Sequence, residues 1–181
     1  MNYHLLDIAI IFKQRAIEAI TTIPSLLSVN RLLWSVLLYT ILALTIGFKT
    51  KFFKLEIERD WMIICRVAVT TLIAPAIIEE LLFRVFLLPH PLEDRSPNFK
   101  LVWILISLLL FIIYHPINGL TLYVAGLKTF VNPVFLFLAT GLGIFCTYLY
   151  LASGSLWLPV VFHWLAVVVW LLCLGGNTKL T

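Results

Sequence analysis

From Thr129 to Thr178 the chain carries no Asp, Glu, Lys or Arg. Fifty consecutive uncharged residues cannot lie on a soluble domain without exposing large apolar patches. They are enough for two bilayer crossings of about 20 residues joined by a turn. The turn is legible at Ala152, Ser153, Gly154 and Ser155, which divide Asn132/Pro133–Leu151 from Leu156–Leu174. Composition extends the inference to the whole chain. Its 181 residues hold 13 Lys+Arg and 9 Asp+Glu against 62% hydrophobic residues, which excludes disorder, collagen and an ordinary soluble domain. A secreted disulfide framework is excluded as well, because Cys65, Cys146 and Cys173 all sit in apolar runs.

Upstream, three further apolar segments read as crossings: Leu32–Phe48, Trp61–Leu88 interrupted by Pro75, and Leu101–Tyr114, where His115-Pro116 should end or kink the helix. The expected fold is therefore an all-α, polytopic transmembrane bundle of about five spans. Residues 5–20 place Asp7, Lys13, Arg15 and Glu18 among apolar positions at helical spacing before Pro24. That pattern predicts an N-terminal amphipathic helix lying in the interface, the alternative being a flexible basic tail. The organisation expected is an interfacial segment over 1–30, a first transmembrane helix and loop over 31–60, a core over 61–174 and a tail over 175–181. Alternating five spans puts five basic residues on one side and six on the other, so the positive-inside rule leaves orientation undetermined. A net charge of +4 offers contacts to anionic head groups but no basic groove for nucleic acid.

The residues that should not be in a membrane carry the functional information. Glu79, Glu80 and Arg84 interrupt Ala-Ile-Ile-Glu-Glu-Leu-Leu-Phe-Arg, and each charge at bilayer depth costs about 3 kcal/mol or more. Glu80 and Arg84 are spaced i,i+4 and can pair on one helix face. Glu79 points about 100° away and must find a partner elsewhere. The candidates are His115 and His163, either of which could help a carboxylate hold and polarise water. Duller accounts exist for each: a structural ion pair for Glu80 and Arg84, a structural buried acid for Glu79, a helix-end histidine for His115, and a satisfied core histidine for His163. Arg66 should snorkel to a membrane face, while His4 and His90 fall outside the spans and carry no weight.

Other chemistries lack their residues. Asp7, Asp60 and Asp94 lie outside the spans, so no membrane aspartate pair is available. Ser155 precedes His163 by eight residues, but no Gly-x-Ser-x-Gly elbow surrounds it. His-Glu-x-x-His is missing too. With Glu80 occupied by Arg84, a metal would be left with Glu79, His115 and His163 as ligands plus water. No cofactor is expected, and zinc stands as the disfavoured alternative. A transport component, with the same residues lining a proton or ion path, would be small at five helices and shows no internal repeat.

Three motifs then stand in order: Glu79-Glu80-Leu-Leu-Phe-Arg84, Phe111-Ile-Ile-Tyr-His115, and Gly154-Ser-Leu-Trp-Leu-Pro159 leading to His163. They resemble the Glu-Glu-x-x-x-Arg, Phe-x-x-x-His and third motifs of the CAAX-processing and bacteriocin-processing (CPBP, or Abi) intramembrane proteases, over residues 61–174. The resemblance implies a glutamate-dependent membrane endopeptidase. It implies that Glu79 activates water with His115, that Glu80 and Arg84 form a supporting pair, and that His163 stabilises the oxyanion. One position departs from the pattern, since residue 167 is Val where the family commonly has an oxyanion-donating asparagine. Either His163 works alone, or Asn118 or a backbone N–H substitutes, or the chain is a non-catalytic scaffold or immunity-type member. The expected setting is a bacterial plasma membrane, with a membrane-embedded or membrane-associated peptide or protein as substrate.

Overall fold

Polar residues at the borders of the apolar runs start most of the long helices. The computed structural model describes residues 5–180; His4, expected to be exterior, lies outside them. Helix α1 spans Leu5–Thr21. Helix α2 (Leu26–Lys49) begins at Ser25, whose hydroxyl accepts the Ser28 N–H. Helix α3 (Trp61–Thr71) begins at Asp60, whose carboxylate accepts the Met62 N–H. It continues through a π-helical stretch (Leu72–Ile77), the single turn α4 (Ile78–Glu80) and a second π-helical stretch (Leu81–Phe86). Helix α5 (Pro97–Thr121) has Ser96 as its cap and proline in its first turn. A short turn, α6 (Leu127–Phe130), leads to α7 (Pro133–Ser153), capped by Asn132. Helix α8 (Trp157–Cys173) and the short α9 (Asn177–Leu180) complete the described chain. Such caps satisfy N–H groups that a helix start otherwise leaves unpaired.

Four rods, Leu26–Lys49, Trp61–Phe86, Pro97–Thr121 and Pro133–Ser153, are long and apolar enough to cross a membrane, and α8 is apolar but only 17 residues long. The protein is thus an all-α polytopic membrane bundle. Its burial pattern is inverted relative to a soluble protein. In α2 the buried residues are Ser28, Ser35, Ala43 and Gly47, while Leu33, Trp34, Leu37, Leu38 and Ile41 are exposed. Without water to drive apolar groups inward, small residues go to helix contacts and large ones face lipid.

The structure refines two local expectations. Helix α5 does not stop at His115-Pro116 but runs on to Thr121. One missing N–H is tolerated within a membrane helix when neighbouring elements hold it in place, and α6 packs against this end, with Gly119 in close approach to Leu127 and Phe130. His90 lies outside the spans, as expected, yet it is not exposed. It is buried, its Nε2 donates to Gly154 O at 3.0 Å, and its own N–H donates to Glu93 Oε1 at 2.8 Å. Gly154 turns the chain between α7 and α8 at φ +70°, and a Cβ there would meet the His90 ring at 3.1 Å. A left-handed conformation and a close approach both require glycine at that point.

The loop after α2 is polar in sequence, yet Phe52 and Phe53 are buried. The Phe53 N–H donates to Gly47 O at 2.9 Å, and a Cβ on Gly47 would fall 2.1 Å from the Phe53 ring. Beyond it, the N–H groups of Lys54, Glu56 and Glu58 donate to the carbonyls of Leu174, Cys173 and Leu172, stitching the loop to the end of α8. Gly47→Ala is expected to lower stability by about 1–3 kcal/mol, the usual cost of overpacking. Thermal unfolding in detergent measures this, and Phe53→Ala in the same chain should recover part of the loss.

Candidate active site

Proline breaks the Trp61–Phe86 rod just before Glu79, Glu80 and Arg84. Pro75 sits in the first π-helical stretch, and Ala74 leaves helical geometry at φ −132°, ψ 116°. A proline kink of this kind redirects the helix that follows. The redirected segment carries Glu79, Glu80 and Arg84 inward, where all three are buried and the last two are fully enclosed.

Glu80 is engaged at both oxygens. Its Oε2 lies 3.2 Å from Arg84 Nε, as the i,i+4 spacing predicts, and its Oε1 accepts from His163 Nδ1 at 2.7 Å. Arg84 in turn donates through Nη2 to Gly143 O at 3.0 Å, and its guanidinium stands 4.5 Å over the ring of Phe111. The phenylalanine of Phe-x-x-x-His thus covers the arginine with its π face. Phe111 also meets the rings of His115 and His163 edge-on, at centroid distances of 4.8 and 6.1 Å. A side chain on Gly143 would come within 3.2 Å of both Arg84 and Phe111, so the absence of one lets α7 approach closely enough to accept the arginine.

Glu79 is the contrast. Its Oε2 is buried and makes no hydrogen bond, and the nearest imidazole nitrogen, His163 Nε2, lies 3.9 Å away. That separation exceeds a hydrogen bond. Glu79 therefore makes no direct hydrogen bond to either histidine, while the shared water that the sequence leads one to expect asks for none. His163 gives its hydrogen bond to Glu80, and His115 Nδ1 donates to Phe111 O at 2.8 Å. Both imidazoles have their tautomer set by these acceptors: Nδ1 carries the proton, and Nε2 of the neutral ring keeps its lone pair. Glu79, His115, Asn118, His163 and Val167 all line one cavity of about 620 Å³. The sequence-derived residues fall into two groups, a locked chain Arg84–Glu80–His163 and an unpartnered carboxylate facing a cavity that His115 also lines.

Cys146 escaped sequence reasoning. Its Sγ and ligand atoms of Glu80 and His163 lie within 4.8 Å of one another, the one cluster of potential metal ligands among the described residues. It differs from the set Glu79, His115 and His163 expected for a metal. The donor chemistry does not suit a divalent cation. Both carboxylate oxygens of Glu80 are already taken, Oε1 by the proton on His163 Nδ1 and Oε2 by the facing guanidinium. A cation would have to displace both partners and sit beside the positive charge of Arg84.

Acids and imidazoles gathered at depth around one largely apolar cavity are the equipment of an intramembrane hydrolase. The sequence model of one family, described as Rce1-like, type II CAAX prenyl endopeptidase Rce1-like, matches residues 61–169. The chain belongs to this family of CAAX-type endopeptidases, which is the Glu-Glu-x-x-x-Arg family to which the motifs point. No curated protein and no solved structure matches it.

The two adjacent glutamates should respond differently to the same substitution. Glu80→Gln leaves Arg84 buried without its counter-charge and is expected to destabilise the protein by about 3–5 kcal/mol. Glu79→Gln removes no hydrogen bond of the described fold and should unfold within about 1 kcal/mol of the parent. Parallel denaturation of the two variants in the same detergent decides the matter; equal losses would contradict the division.

Proposed function

We propose that this protein hydrolyses peptide bonds inside the membrane with water activated by Glu79. The observation that carries the mechanism is the Glu79 carboxylate, buried without a hydrogen-bond partner in the same cavity as two imidazoles. Glu79 takes a proton from water, the hydroxide adds to the scissile carbonyl, and the proton passes to the leaving amine. His115, with Nδ1 tied to Phe111 O, offers Nε2 to hold the water. His163 is oriented by Glu80 as a carboxylate orients an imidazole in a catalytic triad; with no proton on its Nε2, the donor to the negative charge on the carbonyl oxygen is another group. Glu80 and Arg84 act through His163. The absence of the usual asparagine at Val167 is met by Asn118, which lies one turn beyond His115 and lines the same cavity.

The membrane arrangement follows from the same reading. Helix α8 serves as a short fifth crossing, since Leu156–Leu174 with its flanks reaches nearly the thickness of the hydrocarbon layer. Helix α1 lies along the interface, with Ile10, Ile17 and Ile20 exposed on one side of it. Residues 61–174 form the protease core, with 1–30, 31–60 and 175–181 as interfacial segment, first crossing with its loop, and tail. The substrate is a membrane-embedded or membrane-associated peptide or protein in a bacterial plasma membrane. The cavity walls, with Phe53, Phe135, Leu138 and Trp170, suit an apolar segment beside the scissile bond.

Reconstituted protein tested against a library of membrane peptides should cleave in the presence of chelator. Glu79→Gln should reduce the rate by at least about 10³, and His115→Ala and Asn118→Ala by about 10² each. Retained cleavage in Glu79→Gln would sink the mechanism. Val167 also supports a second reading, a non-catalytic scaffold on the same fold. The variant Val167→Asn separates the two: a rate increase of about tenfold or more fits an enzyme short of one donor, whereas a library left uncut by parent and variant alike fits the scaffold.

A further inference from the structure

The first helix lies outside the segment that matches the family, residues 61–169, yet it is fastened to two of the helices that carry the site. At one end of the contact, Arg15 forks onto Glu93, with Nε to Oε1 at 2.6 Å and Nη2 to Oε2 at 2.9 Å, while its Nη1 donates to Phe86 O at 3.0 Å. Phe86 is the last residue of the rod bearing Glu79, Glu80 and Arg84. Its carbonyl is among those a helix end leaves without an internal donor. At the other end, Ala19 O accepts the N–H of Leu156 at 2.9 Å, and Ile20 O accepts the indole N–H of Trp157 at 2.9 Å. These are the residues from which α8 starts toward His163. Between the two, Glu18 Oε2 lies 3.3 Å from His90 Nδ1, and His90 holds the Gly154 turn. Ala19 is fully buried in a core it shares with Ala76, Val85, Leu156 and Val160.

We propose that Arg15 is a positioning residue for the reaction and α1 a strap: by tying the end of the glutamate-bearing rod and the start of α8 to one rigid helix, it fixes the depth of Glu79 and Glu80 relative to His163. The proposal rests on the endopeptidase reading given above. Neither π-helical stretch of the rod has a full set of α-helical bonds, so that rod is the element with most freedom to slide or unwind. A bidentate guanidinium–carboxylate pair that also caps the rod holds direction as well as distance. Burial alone would favour protonation of Glu93, but the bonds from Arg15 and from the His90 N–H outweigh it and hold its carboxyl below the ordinary range, so the pair is charged at neutral pH. A misplacement of about 1 Å at a reacting group can cost about 10² in rate, and the strap acts on that scale.

The test uses the full chain reconstituted in vesicles, with Arg15→Met, Arg15→Lys and, on the exposed side of the same helix, Lys13→Met as control. Arg15→Met is expected to lower kcat about tenfold with KM within about twofold. Arg15→Lys should recover part of kcat, because an ammonium reaches Glu93 but cannot also fork to Phe86 O. Lys13→Met should leave both constants unchanged. Hydrogen exchange measured alongside should show faster exchange at residues 80–88 and 156–163 in Arg15→Met, with the midpoint of global unfolding within a few degrees. Unchanged kcat in Arg15→Met, a loss that merely follows the folded fraction, or equal rates for the Met and Lys variants would overturn the proposal. If the parent cleaves no peptide, the endopeptidase reading fails by itself. The strap then stands or falls on exchange, and unaltered protection at those two segments refutes it.

Discussion

The salt bridge between Glu80 and Arg84 makes the rest of the site affordable in a bilayer. Each charge alone would be too costly at that depth, and together they still need further hydrogen-bond partners. The structure supplies those partners from other helices: His163 of α8 on one carboxylate oxygen, the Gly143 carbonyl of α7 on the guanidinium, and the Phe111 ring of α5 over its face. Satisfying one ion pair therefore fixes four elements relative to one another. The same requirement places Glu79 where it is, because a residue adjacent to Glu80 on a helix must point to a different side.

Much of this was legible in the sequence because membranes penalise charge so heavily. The long apolar rods and the odd positions of Glu79, Glu80 and Arg84 follow from that cost alone, and so does the i,i+4 pair. The three motifs carried the family, and its model covers nearly the stretch that they mark out. Spacing could not say which glutamate meets which histidine. Periodicity fixes the direction of a side chain on its own helix, but not where a neighbouring helix stands, and His163 went to Glu80.

The remaining differences have the same origin in tertiary contacts. His90 sits in Leu-Pro-His-Pro-Leu-Glu-Asp, which reads as an exposed loop, and is buried only because α1 and the Gly154 turn close over it. Pro116 should end or kink α5, and packing by α6 carries the helix on past it and so brings Asn118 into the cavity. Cys146 was hidden in a uniformly apolar run, where no periodicity marks the residue that faces an acid. Val167 could be read as a departure from a motif, and its place on the cavity wall gives that departure a location.

The unequal treatment of the two glutamates has an electrical consequence. Glu80 and Arg84 cancel, and both imidazoles are neutral when Nδ1 alone holds a proton, so the interior cluster carries a single variable charge, that of Glu79. When water gives up its proton to that carboxylate, the negative charge passes to the reacting oxygen without leaving the cavity. When the amine departs with the proton, Glu79 returns to its starting state. Turnover by this route moves no net charge across the low-dielectric layer, and a transmembrane voltage would have little purchase on its rate.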